Sequence, residues 1–220
     1  MKLTMSKEIQ DEIAGQGIIA VLEIESEDNA VPLAKALLDG GITVIELALR
    51  TKAAFPSISL IASEFPQMYM GIGTVIEPGQ AQKVRKERGV RFAVSPGINA
   101  EIVKEAIAAD LPFAPGISTA SELELAISLG CRTVKFFPAE SMGGLKYLKS
   151  INGPYNHLGI KYIPLGGVTT ENLASYASFA PVLAIGGSWI ATKELINAQN
   201  WNEITKRARE AKDIWDSSRK

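Results

Sequence analysis

The stretch that decides the fold spans residues 91–117 and reads RFAVSPGINAEIVKEAIAADLPFAPGI. It holds two short apolar runs, and between them lies an amphipathic run that follows Asn99, a residue type common at the start of a helix. Each apolar run ends in a similar motif, Ser95-Pro96-Gly97-Ile98 or Ala114-Pro115-Gly116-Ile117. A strand, a helix and a second strand of similar build predict a repeated unit with parallel strands.

The same alternation continues along the whole chain. Eight strands are predicted, spaced widely enough for one helix between neighbours: Ile18–Leu22, Thr43–Leu49, Tyr69–Val75, Arg91–Ser95, Pro112–Pro115, Thr133–Phe137, Lys161–Leu165 and Val182–Ile185. Strict alternation predicts a parallel sheet covered by helices. Eight units in 220 residues without a linker favour one closed (β/α)8 TIM barrel, an α/β fold, over residues 1–220. An open doubly wound sheet usually carries a glycine-rich first turn, but here the first turn, Glu23–Asp28, is acidic and has no glycine.

Helix signals agree with this arrangement. An additional helix is predicted before the first strand, near Met5–Ala14, and an amphipathic last helix near Glu203–Trp215. Helix starts are marked by a first-turn proline, Pro78, and by threonine N-caps at Thr119 and Thr170. Helix ends are marked by glycine at Gly40 and Gly130.

Composition excludes several classes of protein. The chain has 23 basic and 24 acidic residues, a net charge of −1, which argues against a nucleic-acid or anionic-membrane surface. One Cys and one His exclude an internal disulfide and histidine-rich metal sites. The N-terminal residues carry charges, and no stretch approaches the roughly 20 apolar residues of a membrane span. We therefore expect a soluble, cytoplasmic protein whose chemistry uses lysine, carboxylates or hydroxyls.

Alternation along the strands selects three ionisable residues. In the sixth strand Val134 and Phe136 suit the helix layer, which turns Lys135 toward the barrel interior. By the same rule Glu46 and Arg50 point inward from the second strand. Each could be structural, as an ion pair, but three such groups exceed what a packed core tolerates. They suit amine chemistry, with lysine as nucleophile, glutamate as proton carrier and arginine as carboxylate anchor.

Glycine pairs end the seventh and eighth strands, at Gly166-Gly167 and at Gly186-Gly187-Ser188. The loops after these two strands are the usual phosphate site of a barrel. Glycine lets backbone N–H groups approach an anion closely. Turns also use glycine pairs freely, so one pair by itself is weak evidence. Two pairs at the ends of these two strands together indicate a phosphate site.

Six motifs together resemble the KDPG/KHG aldolases, the class I aldolases of 2-keto-3-deoxy-6-phosphogluconate and 4-hydroxy-2-oxoglutarate. The motifs are Glu46-Leu47-Ala48-Leu49-Arg50-Thr51, Gly71-Ile72-Gly73-Thr74-Val75, Ser95-Pro96-Gly97, Pro115-Gly116-Ile117-Ser118-Thr119, Val134-Lys135-Phe136-Phe137-Pro138-Ala139-Glu140 and Ile185-Gly186-Gly187-Ser188-Trp189. The resemblance runs from about Gly17 to Trp215, and the run around Lys135 is its most specific part.

This resemblance implies a homotrimer that cleaves a phosphorylated 2-keto-3-deoxy sugar acid into pyruvate and glyceraldehyde 3-phosphate, without a metal or other cofactor. Lys135 would form the Schiff base, and Glu46 would move protons. The carboxylate end of the substrate would meet Arg50 and Thr74, and the pocket would be lined by Pro96, Phe137 and Leu165. The phosphate would bind to Gly166, Gly167, Gly186, Gly187 and Ser188.

One residue departs from the family pattern. Familiar members have threonine before the first glycine pair, where this chain has Leu165, so a hydroxyl that could meet the substrate is missing. Loss of one such hydrogen bond is worth about 1 kcal/mol. Alternatives therefore stay open: preference for 4-hydroxy-2-oxoglutarate or for the galactonate epimer, a non-catalytic sugar-phosphate-binding barrel, and a metal-dependent aldolase, which the scarcity of ligands disfavours.

Overall fold

The computed structural model describes residues 4–219, so residues 1–3 and 220 of the predicted domain lie outside the described residues. Within that range, nine short parallel strands are β1 Ile18–Leu22, β2 Val44–Ala48, β3 Tyr69–Gly73, β4 Val90–Val94, β5 Phe113–Ala114, β6 Gly116–Ile117, β7 Thr133–Phe136, β8 Lys161–Pro164 and β9 Ile185–Gly187. The α-helices are α1 Lys7–Gln16, α2 Ala30–Asp39, α3 Ala54–Glu64, α4 Gln80–Lys86, α5 Ala100–Ala108, α6 Ala120–Ser128, α7 Gly144–Tyr155, α8 Thr170–Ala177, α9 Lys193–Asn197 and α10 Trp201–Ser218.

The strands form a barrel. Six pair in the order β5-β4-β3-β2-β1-β9, and three pair in the order β6-β7-β8. Single-residue parallel bridges, Tyr162 with Val182 and Leu165 with Gly186, join β8 to the β9 side. Only Pro115 separates β5 from β6, which closes the ring at the other junction. The predicted (β/α)8 fold is confirmed.

The fifth barrel strand is broken, where the sequence predicted one run over Pro112–Pro115. Residues Phe113–Ala114 pair with β4, and Gly116–Ile117 pair with β7. Pro115 has no N–H to donate to a ladder, although its carbonyl accepts from Lys135 N–H at 2.9 Å. The strand therefore changes neighbours at this proline.

The predicted eighth strand, Val182–Ile185, is wrong at both ends. The strand is β9, Ile185–Gly187, and its glycines pair with Ile19 and Ala20 of β1. A Cβ on Gly186 would lie 1.9 Å from Leu165 Cδ1, so any larger residue there would displace the Leu165 side chain. Glycines at these positions suggested a loop, but here they let the strand pack closely against its neighbours.

Two predicted helix starts are wrong and others are confirmed. The helix after Pro78 begins only at Gln80, because Gly79 before it adopts a φ of 84°. The cap of α8 is Thr169, one residue before the predicted Thr170, since the Asn172 side chain accepts from its N–H at 2.9 Å. Predicted caps at Asn99 and Thr119, and helix ends at Gly40 and Gly130, are confirmed.

Two apolar clusters stabilise the barrel. The larger lies between strands and outer helices and holds Val134 and Phe136, as the alternation predicted. The smaller fills the barrel interior, where Phe92 and Ile163 meet Ile13 of α1. The additional N-terminal helix therefore closes the end of the barrel where the strands begin, and the opposite end is left for a site. No helix in residues 4–219 is both long and apolar enough to cross a bilayer.

Candidate active site

A buried ion pair joins opposite walls of the barrel. Lys135 Nζ on β7 donates to Glu46 Oε1 on β2 at 2.8 Å, and their side chains are 5% and 3% exposed. Both residues point inward, as the strand alternation predicted. Removing two charges from water is costly and is offset only by close pairing, which makes this pair a candidate functional group. The arrangement offers an amine with a carboxylate in proton-transfer distance.

Glycines of β3 make room for this pair. A Cβ on Gly73 would lie 2.2 Å from Glu46 Oε1, and one on Gly71 would lie 2.2 Å from the Phe92 ring. Both glycines face inward, because Gly71 pairs with Glu46 in the β2–β3 register. The side chain of Glu46 therefore lies across a strand that has no inward side chains of its own at these positions.

Arg50 lies at the rim, not on the inner face of the strand. Strand β2 ends at Ala48, so alternation no longer applies two residues later. The Arg50 side chain is 49% exposed, its Nε donates to Thr74 Oγ1 at 3.1 Å, and Nη1 lies 3.4 Å from Glu23 Oε2. Thr74 has a left-handed φ of 64°, which is unusual for a residue with a branched side chain. The structure thus brings Arg50 and Thr74 within hydrogen-bond distance of each other.

Three apolar residues surround the mouth of the barrel. Lys135 Nζ lies 5.5 Å from the centre of the Phe137 ring. Leu165 is buried and packs over Gly186 of β9. Pro96 is half-buried beside β6, where Gly116 pairs with Lys135. Of the three, Phe137 is the one whose ring lies near the Lys135 amine.

The glycine pairs stand beside a cavity of about 380 Å³. Gly166 and Gly167 have left-handed φ values of 96° and 83°, which suit glycine. Of the predicted phosphate residues, Gly167 and Ser188 line the cavity and the other three do not. Ala48, two residues beyond Glu46 on the same face of β2, also lines it, so the cavity lies on the carboxyl side of the ion pair.

Behind Gly167 the loop is held by Glu140. A Cβ on Gly167 would lie 2.6 Å from Glu140 Cβ, and Glu140 N–H donates to Gly166 carbonyl oxygen at 3.0 Å. The Glu140 carboxylate accepts from Tyr176 Oη at 2.6 Å. Burial first, and this hydrogen bond second, raise the pKa of Tyr176 well above its ordinary range. The phenol therefore stays protonated as a donor.

Sequence reasoning missed three charged residues of the cavity, Glu23, Lys193 and Glu194. Glu23 belongs to the acidic first turn, whose charges were the only available signal. Lys193 lies far along the chain in a short helix and carries no pattern that singles it out.

The fold and the buried amine–carboxylate pair at the carboxyl ends of the strands define a barrel enzyme. Residues 9–207 match the family model described as KDPG and KHG aldolase. The chain belongs to this family, and the predicted lyase activity of the aldolase class is confirmed.

Similar proteins cover nearly all of the chain. The KHG/KDPG aldolase of Escherichia coli K12 is 42% identical over 88% of this chain and 90% of that protein. The 2-dehydro-3-deoxy-phosphogluconate aldolase of Dickeya dadantii has the same identity and coverage. A crystal structure of the KDPG aldolase from Legionella pneumophila, with pyruvate captured at low pH as a covalent carbinolamine intermediate, has a TM-score of 0.86 and 37% identity. It covers 92% of this chain and 97% of its own.

Proposed function

We propose that the protein is a class I aldolase that cleaves 2-keto-3-deoxy-6-phosphogluconate into pyruvate and glyceraldehyde 3-phosphate. The observation that carries the proposal is the buried contact of 2.8 Å between Lys135 Nζ and Glu46 Oε1. The Legionella relative supports it, because pyruvate is covalently bound in that enzyme as a carbinolamine. The Dickeya relative supports the substrate, since its name specifies the phosphogluconate.

The first half of the reaction forms the iminium. Lys135 Nζ first passes a proton to Glu46 Oε1 across their 2.8 Å contact. The neutral amine then attacks the C2 carbonyl carbon of the substrate, and Glu46 returns that proton to the oxygen, giving a carbinolamine. A second proton from the same carboxyl group, replenished from the nitrogen, lets the hydroxyl leave as water. The C=N+ bond that remains can accept an electron pair.

Cleavage uses that electron sink. Glu46, through a water molecule, removes the proton of the C4 hydroxyl, and the C3–C4 bond breaks toward the iminium. The C4 fragment leaves as glyceraldehyde 3-phosphate, and an enamine of pyruvate remains on Lys135. Protonation at C3 and attack of water at C2 then release pyruvate and regenerate the amine. Every charge in this sequence is carried by protein or substrate atoms, so we propose that the enzyme needs no metal or other cofactor.

The remaining residues would bind the two ends of the substrate. Arg50 and Thr74 would hold the carboxylate, since a guanidinium matches it with two donors. Gly166, Gly167, Gly186, Gly187 and Ser188 would offer donors to the phosphate, and Pro96, Phe137 and Leu165 would line the pocket. The homotrimer and the cytoplasmic location also stay predictions.

Trapping with borohydride tests the mechanism. Pyruvate is incubated with the protein, sodium borohydride reduces the iminium, and mass spectrometry of the digest locates the adduct. We expect the adduct on Lys135, its absence from Lys135→Met, and no cleavage by that variant. Far-UV circular dichroism checks that the variant is folded. An adduct on another lysine, or none on the wild-type chain, overturns the proposal.

A second substrate, 4-hydroxy-2-oxoglutarate, stays a candidate because of two observations. The Escherichia coli relative is named for both substrates. In addition, Leu165 offers no hydroxyl to the sugar chain. Cleavage rates on both purified substrates, measured side by side, decide which one the enzyme prefers.

A further inference from the structure

The charges that line the cavity are arranged around Glu23. Among the described lining residues, the cations are Arg50 and Lys193, and the anions are Glu23 and Glu194. Glu23 stands between the two cations, with Oε2 at 3.4 Å from Arg50 Nη1 and Oε1 at 3.6 Å from Lys193 Nζ. One carboxylate thus faces both cations of the cavity, and both contacts are long for ion pairs.

Lys193 is held in place independently of Glu23. Glu25 Oε1 lies 2.6 Å from Lys193 Nζ, and the other oxygen of Glu25 accepts from Asn197 at 2.7 Å. Hydrogen bonding to Glu25 raises the pKa of Lys193, so the ammonium is charged at neutral pH. The side chain is 45% exposed and lines the same cavity as Gly167 and Ser188. It is therefore a fixed cation in the cavity that Gly167 and Ser188 line.

We propose that Lys193 binds the phosphate of the substrate, and that the Glu23 carboxylate repels this phosphate. The pair would then set the preference between phosphorylated and unphosphorylated 2-keto acids. This inference rests on the proposed function, because it assigns residues to the phosphate end of that substrate.

Neutralising Lys193 and neutralising Glu23 should have opposite effects on phosphate binding. A phosphate at Gly167 and Ser188 gains attraction from Lys193 and meets repulsion from Glu23, whose contacts to the cations are too long to hold it firmly. Neutralising Glu23 should therefore strengthen phosphate binding, and neutralising Lys193 should weaken it. Both groups are partly exposed, so each effect is limited by solvent screening to roughly fivefold.

The experiment compares kcat/KM for 2-keto-3-deoxy-6-phosphogluconate and for 2-keto-3-deoxygluconate, which lacks only the phosphoryl group. Effects on the carboxylate end through Arg50 cancel in the ratio. We expect the ratio to rise roughly fivefold in Glu23→Gln and to fall roughly fivefold in Lys193→Gln. Glu27→Gln is the matched control, because it removes one negative charge from the same loop outside the cavity lining. Its ratio should stay at the wild-type value.

A binding measurement separates this inference from the proposed function. Calorimetry of inorganic phosphate with the same four proteins requires no turnover, and the dissociation constants should change in the order expected for the kinetic ratios. Failure of pyruvate trapping on Lys135 would count against the aldolase mechanism alone. Unchanged phosphate affinity and an unchanged ratio in both Glu23→Gln and Lys193→Gln would overturn the assignment of these two residues.

Discussion

At the scale of single residues, Gly73 shows how an absent side chain can position a catalytic candidate. The Glu46 carboxylate occupies the space over β3 that any Cβ at this position would need. Closely packed interiors do not absorb an added methyl group without displacing a neighbour. The place of Glu46, and so its distance to Lys135, depends on this glycine.

Gly73→Ala should therefore impair proton transfer more than substrate binding. A methyl group 2.2 Å from Oε1 must push the carboxylate away from Lys135 Nζ. We expect kcat to fall by roughly a hundredfold, with a smaller change in KM, since misplaced proton carriers lose factors of this order. Steady-state kinetics and far-UV circular dichroism measure the effect. Gly15→Ala is the control, because a Cβ there meets nothing within 4 Å; equal kcat values for the two variants would contradict the prediction.

The sequence predicted some site residues and not others, for a physical reason. Lys135 and Glu46 lie within strands, where the period of two fixes the side on which a residue points. Arg50 lies just past a strand, so its rim position had to come from the structure. Glu23 and Lys193 lie 170 positions apart on a loop and a short helix, and no local pattern brings them together.

At the scale of elements, the start of α6 depends on one carboxylate. Glu122 Oε2 accepts from the backbone and hydroxyl donors of Ser118 at 2.8 and 3.0 Å, and from those of Thr119 at the same distances. Burial alone would raise the pKa of Glu122, but these hydrogen bonds outweigh it and hold the pKa below its ordinary value. The ionised form is therefore the one that stabilises the helix start.

Acid should weaken this cap. Because the folded pKa is depressed, the stabilisation is present above the unfolded pKa and is lost as pH falls through the folded pKa. At neutral pH Glu122→Gln should lower the free energy of unfolding by about 1 kcal/mol, the usual worth of a helix cap. Urea denaturation at pH 7 and pH 3 should show a gap between variant and wild type that shrinks in acid. A constant gap, or an equal effect of Glu210→Gln on the exposed side of α10, would contradict this.

The ends of helices and strands were predicted well where a cap involves only nearby residues. They were predicted poorly at glycines, because glycine can serve either a turn or a closely packed strand. The Thr119 cap could be predicted, because the capping box needs only Thr119 and Glu122. Gly79 and Gly186 could not be assigned from the sequence. The former takes a left-handed turn before a helix, and the latter makes room for Leu165 inside a strand.

At the scale of the whole molecule, the eight-unit alternation was enough to predict a closed barrel. It could not show how the ring closes, because ladders between strands of different units depend on long-range packing. Closure occurs through Pro115 on one side and through two single-residue bridges on the other. The additional helix was predicted before the first strand, but its role in filling the end of the barrel was visible only from the structure, where Ile13 lies among the interior residues.

The junction between β8 and β9 has a consequence for how the molecule opens. At this junction the Tyr162 N–H donates to the Pro181 carbonyl oxygen at 2.9 Å, and the Leu183 N–H donates to the Tyr162 carbonyl oxygen at 2.8 Å. Strands β1 to β4 are joined by longer ladders. In hydrogen–deuterium exchange, we expect these two amides to take up deuterium earlier than those of Ile45 and Ile72. Gly167 and Ser188 lie on opposite sides of this junction. A phosphate bound to both should hold the two sides together and slow the uptake of deuterium. Equal protection of all four amides without ligand would show that the ring has no preferred opening line.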